Sequence, residues 1–156
     1  MSLHRRVLHS GTVLLTERVP HSDSLALGFW LPLGSRHEHP SEHGYTHFVE
    51  HMLFKGTAAR SAYLLAAEID GVGGDLNGST GKENTGCSVQ VAGEHWERAL
   101  DTLLDMYFNA AFDPAELEKE RQVLLEEIDL ARDDPEEQVY DLFSTALWGD
   151  HPLGHP

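Results

Sequence analysis

A chain of 156 residues, 40% of them hydrophobic, can bury one core and carries no Ser/Gly/Pro-rich linker that would divide it. With 11 Lys plus Arg against 26 Asp plus Glu, its formal net charge is −15, which repels nucleic acid and anionic membranes and argues against either as a partner. The lone Cys87 excludes an internal disulfide, the N-terminus has no signal-peptide run, and no stretch has the apolar length of a transmembrane helix, so a soluble cytoplasmic protein is expected.

Taken in chain order, Val7 to His9 and Thr12 to Val19 flank Ser10-Gly11 and read as a hairpin. Ser24 to Pro32 alternates Leu25, Leu27, Phe29 and Leu31, as a half-buried strand does. Residues 41–55 read as a helix, with Ser41 as N-cap and Gly56 at its C-terminal cap. Ser61 opens a second helix running to about Ile69, closed by Gly71-Val72-Gly73-Gly74, and Thr85 to Val91 reads as another strand. Residues 94–110 place Trp96, Leu100, Leu103, Leu104 and Tyr107 at helical spacing, a stripe expected to pack in the core. Asp113-Pro114-Ala115-Glu116 combines an N-cap, a proline at the first helical position and a capping-box glutamate; Asp134-Pro135-Glu136-Glu137 repeats it. The expected class is α+β, one unit over 1–156 with a largely antiparallel sheet and helices on one face.

The chemistry concentrates at His47-Phe48-Val49-Glu50-His51. On a helix, His47 and His51 lie one turn apart with Cβ atoms about 5–6 Å apart, so both imidazoles can reach one zinc ion at about 2.0–2.1 Å. Glu50 shares that face and is placed to act as general base rather than ligand. A catalytic zinc site takes three protein ligands and keeps one position open, so one ligand remains to be found. With 11 His and 15 Glu in the chain, such a pentapeptide arises by chance in roughly one chain in fifteen, so context must decide. His43 lies eight residues from His51, about 12 Å along a helix, too far to share an ion with both. Downstream, Glu126 and Glu127 offer a third ligand. Glu120 and Glu127, seven residues apart, share a helical face with Leu124 and Leu130; a metal would offset burial of Glu127, and Glu120 can accept from a ligand histidine. Glu118 and Asp129 read as solvated.

His47 through Thr57 resembles the inverted zinc motif of the pitrilysin family of metallopeptidases, which includes insulin-degrading enzyme and the mitochondrial processing peptidase. The resemblance extends in order through Gly34-Ser35-Arg36, Gly73-Gly74-Asp75-Leu76-Asn77, Glu83-Asn84-Thr85, Glu120-Arg121, Leu125-Glu126-Glu127-Ile128, Asp134-Pro135 and His151-Pro152-Leu153-Gly154. It implies one zinc ion held by His47, His51 and Glu127, because the family's distal glutamate lies about 76 residues past the second histidine and 127 − 51 = 76. It further implies Glu50 as general base on a zinc-bound water and Glu120 as an additional active-site glutamate. Phe54 matches the pocket for the residue after the cut, and Asn77, Gly78 and Ser79 match an edge strand that pairs with extended peptide.

The chain departs from the family at Gly78 and Cys87, where members often carry alanine and an aromatic, so substrate pockets are expected to differ. It is also expected to be the incomplete first half of a pitrilysin-like peptidase, dimeric when full length and nearly inactive alone. Groups that assist at the substrate carbonyl belong to the missing half or a partner subunit. The competing expectation is a noncatalytic binding or assembly subunit, although such relatives typically lose motif residues and this chain keeps His47, Glu50, His51 and Glu127.

Overall fold

Strand β5 (Thr85–Ala92) is the centre of the molecule, paired antiparallel on one side with β3 (Ser24–Leu31) and on the other with β4 (Asp75–Thr80). The computed structural model describes residues 2–155; Met1 and Pro156, the ends of the expected 1–156 unit, lie outside the described residues. Along β5 the side chains alternate: Cys87, Val89 and Val91 are buried, joined from the flanking strands by Leu27, Phe29 and Leu76. Period-two patterning thus gives the sheet one apolar face.

Helices α1 (Tyr45–Leu53), α2 (Ala62–Asp70) and α3 (Trp96–Asn109) contribute to the core on that face through Leu53, Leu65, Ile69, Ala99, Leu103 and Met106. On the opposite face, Trp30 is exposed and its indole lies over Gly28 and Gly86, where a Cβ on either glycine would run into the ring. Helices α4 (Pro114–Asp133) and α5 (Pro135–Trp148) complete the α+β arrangement, with α4 packed on α1. Asp134 both ends α4 and caps α5, its carboxylate accepting from the Glu136 N–H at 2.8 Å.

Several expectations are corrected. The hairpin forms between β1 (Ser2–Val7) and β2 (Val13–Arg18) but as a sheet of its own, and its register extends β1 toward the N-terminus of the expected Val7–His9 segment. Helix α1 starts at Tyr45, not at Ser41: Gly44, in the left-handed region at φ 95°, is the residue before it. Its free N–H groups are capped from upstream in the chain by Glu38, whose carboxylate accepts from Gly44 at 2.8 Å and Thr46 at 2.6 Å. Gly56 does not cap α1, since Phe54 does; at φ 117° Gly56 instead turns the chain into a short bridge with Ser61. Within the expected core stripe only Leu103 is fully buried; Trp96 and Leu104 are exposed, and the inward face is Ala99, Thr102, Leu103 and Met106. Leu31, the last residue of β3, and Leu130 also lie exposed. Glu116 forms no capping box, as its carboxylate accepts from Lys119 at 2.5 Å; Asp113 alone caps α4.

Candidate metal centre

Helix α1 presents His47 and His51 on one face, ring centroids 4.5 Å apart and nearly perpendicular at 88°. Their Nε2 atoms are 3.0 Å apart, and Glu127 Oε2 from α4 lies 3.8 Å from the first and 3.6 Å from the second. These three are the one His/Cys/Asp/Glu group among the described residues whose donor atoms gather within 4.8 Å. Ligands around a tetrahedral zinc with bonds of about 2.0–2.1 Å are spaced roughly 3.3–3.4 Å apart, a value the observed separations bracket. The residues present therefore fit a zinc ion, with two imidazoles and one carboxylate, of which His47 and Glu127 are partly exposed. Glu126 is outside the group, one helical position, about 100° of rotation, from Glu127. His43 is outside it too, 3.8 Å from Glu38.

Seven residues before Glu127, Glu120 is two turns back along α4 and far more buried, its side chain 5% exposed against 44%. Its Oε1 accepts from His51 Nδ1 at 2.8 Å, which places the imidazole proton on Nδ1 and leaves the Nε2 lone pair facing the donor group. Its Oε2 accepts from Lys55 Nζ at 2.6 Å. Burial pushes the Glu120 carboxyl up, but Lys55 and His51 more than offset it and hold it below the usual carboxylate range.

Glu50 is buried on α1 against β4. Thr80 Oγ1 donates to its Oε2 at 3.2 Å, and its Oε1 occupies space that a Cβ at residue 78 would need, so Gly78 admits the carboxylate close to the strand backbone. The Phe54 ring approaches the same glycine and packs partly on the core. Asn77 and Ser79 face away from Gly78, as alternation requires, and Asn77 Nδ2 donates to Asp75 at 2.6 Å. Among the described residues, β4 has a strand on one side only. Cys87, opposite Gly78 in the register, has its thiol pushed up to about 11 by burial and the nearby Glu50 charge, which keeps it an inert core thiol.

The family described as Insulinase (Peptidase family M16) matches residues 13–156. The chain belongs to this family. Among its curated relatives, the Bacillus subtilis protein named "Uncharacterized zinc protease YmxG" is 44% identical over 154 residues, 99% of this chain and 38% of the relative. A Mycobacterium leprae protein, also named an uncharacterized zinc protease, is 42% identical over 97% of this chain and 34% of its own length. The chain thus spans less than two fifths of the relatives it matches. Two solved structures share the fold: a Helicobacter pylori protease, TM-score 0.92 at 21% identity, and a peptidase M16 inactive domain from Pseudomonas fluorescens, TM-score 0.89 at 18%. Each is covered over 38% of its length, while this chain is covered over 99% and 100%.

Sequence reading missed five residues that shape this M16 site. Lys55 follows His51 by four positions, a spacing that could have paired it with the same partner, but it lies past the end of α1. Thr80 carried no signal, since it acts on Glu50 thirty residues away, and Glu38 was hidden behind Ser41, which has the chemistry of a cap and sits nearer the helix. Arg60 ties the turn after α1 to α2 and α3, donating to Glu68 at 3.1 Å, Asp101 at 2.5 Å and Asp105 at 2.6 Å. Thr57 adds a bond to buried Asp105 at 2.8 Å.

Proposed function

We propose that this M16 chain is the zinc-bearing part of an endopeptidase that hydrolyses peptides or unfolded segments. What supports the reading most is the convergence of His47, His51 and Glu127 on one point with a side left open, beside a buried glutamate on the same helix. When bound there, zinc supplies Lewis-acid polarisation of a carbonyl and activates a water. The chain's own contribution begins with substrate. An extended peptide adds to the free edge of β4 through backbone hydrogen bonds along Asn77, Gly78 and Ser79, with the pocket beside Phe54 receiving the side chain after the cut. Glu50, held by Thr80 and seated over Gly78, takes the proton of the attacking water at its carboxylate and delivers it to the leaving amine. Glu120 keeps His51 in the tautomer that directs Nε2 outward.

The remainder of the protein, from the same polypeptide or a partner subunit, supplies the groups that assist at the carbonyl, and the full-length protein acts as a dimer in the cytoplasm. Glu50→Gln in the full-length protein is expected to retain zinc and lose peptide hydrolysis; cleavage at the wild-type rate would overturn the mechanism. The same assay separates an endopeptidase from a noncatalytic assembly subunit, for which Glu50→Gln would change nothing. Residues 1–156 alone are expected to show almost no chelator-sensitive turnover.

A further inference from the structure

We propose that Lys55 is a positioning residue for the metal centre, acting through Glu120 on His51. The inference rests on the zinc reading above and deepens it. A carboxylate as buried as Glu120 requires partners for both oxygens, and the structure gives it one each: His51 Nδ1 at 2.8 Å and Lys55 Nζ at 2.6 Å. With Oε2 committed to the ammonium, Oε1 is fixed in the position that accepts from His51, and the carboxylate cannot rotate about its Cγ–Cδ bond without breaking both contacts. The ring of His51 is therefore clamped from the side opposite the donor group.

The fold also shows what aims Lys55. Its N–H donates to Met52 O at 3.2 Å, and Gly56 then reverses the chain in a conformation open chiefly to glycine. Gly56 O accepts from Ala111 N–H at 3.0 Å, and Thr57 pairs with Ala110 as an isolated bridge. Beyond them Thr57 and Arg60 are bonded to Asp105 of α3 at 2.8 Å and 2.6 Å. The ammonium thus projects from a backbone fixed on both sides, at a side-chain exposure of 30%, unlike the solvated i,i+3 pairs of Lys119 and Arg121 along the outside of α4. Exposed pairs of that kind contribute little, whereas partners behind a metal-ligating histidine are worth about 10–100-fold in metal affinity.

The test uses the full-length protein and zinc alone, with affinity read by chelator competition. Lys55→Met is expected to weaken zinc binding about tenfold and Lys55→Arg to stay within about threefold of wild type. In the metal-free protein the His51 Nδ1 proton should give a slowly exchanging resonance, lost in Lys55→Met and kept in Lys55→Arg. In a double-mutant cycle, Lys55→Met should add nothing to the loss already caused by Glu120→Gln, because both break one chain of contacts. Should Lys55→Met fail to fold, Lys55→Gln carries the same three measurements. Wild-type zinc affinity and an unchanged His51 resonance in that variant, or additive losses in the cycle, would overturn the proposal. Failure of the underlying reading is separate: there Glu127→Gln would leave zinc content unchanged, whatever Lys55 does.

Discussion

The two ends of the metal centre differ sharply in their surroundings. At the inner end, His51 and Glu120 have side chains 17% and 5% exposed and form a chain of contacts with Lys55; at the outer end, His47 and Glu127 are 43% and 44% exposed and, among the described residues, form ion-pair contacts only within the donor group. One glutamate is fixed by protein partners and the other is free to serve an ion. The difference teaches that two carboxylates on one helix face, seven residues apart, can take opposite tasks according to depth alone. The inner one is bonded to His51 and Lys55, and the outer one faces the two imidazoles.

That contrast can be broken by substitution, beginning with the largest effect. Glu127→Ala should abolish zinc binding at micromolar metal, read by metal analysis after dialysis, while shifting the stability of the metal-free protein by no more than about 0.5 kcal/mol, as expected of an exposed side chain. Arg60→Ala, which leaves Asp105 buried without its cation, should cost about 3–5 kcal/mol in denaturant unfolding and loosen the turn that carries Lys55. Glu120→Ala should show both signatures at smaller size, weakening zinc affinity and lowering metal-free stability by about 1–3 kcal/mol, since it strands the His51 N–H and the Lys55 ammonium. If Glu127→Ala proved the more destabilising to the fold, the division between the two ends would be wrong.

Acid provides a gentler probe. Glu120 and Glu38 are both held below the ordinary 4.5: burial raises each, and Lys55 with His51 for the first, or Thr46, Gly44 and His43 for the second, outweigh it. A carboxyl depressed on folding contributes stability that is present above its unfolded pKa and is lost as pH falls through its folded value. Metal-free stability should therefore decline below about pH 4.5, and Glu120→Gln or Glu38→Gln should each flatten that decline in urea titrations run from pH 5 downward. An unaltered slope in Glu38→Gln would mean that the α1 cap is not formed. The smallest effect is expected far from the site: Leu15→Ala on the exposed hairpin should change stability by within about 0.5 kcal/mol, against about 2–5 kcal/mol for Leu103→Ala in the core.

Much of this was legible in the chain. The Asp113 and Asp134 caps with their prolines, the Ser61 cap of α2, the alternation of β3 and the strand beginning at Thr85 all lie where local rules put them, because each depends on residues within one or two turns of itself. The histidine pair is likewise local, fixed by helical periodicity over four residues. The entry to α1 was misread for the complementary reason. Ser41 has the chemistry of a cap, but Glu38, longer and buried, reaches Gly44 and Thr46 instead.

By itself, then, the sequence determined most of the helix caps, the alternation of β3 and β5 and the inverted histidine motif, since these are properties of spacing along one chain, whereas the choice of Glu127 over Glu126 came from the family resemblance. Only the tertiary structure decided which carboxylate is buried, which lysine holds it, and that β4 brings Gly78 under Glu50. Those facts come from helix–helix and helix–sheet packing between segments 30 to 70 residues apart, where burial and hydrogen-bond satisfaction, rather than periodicity, select the partners.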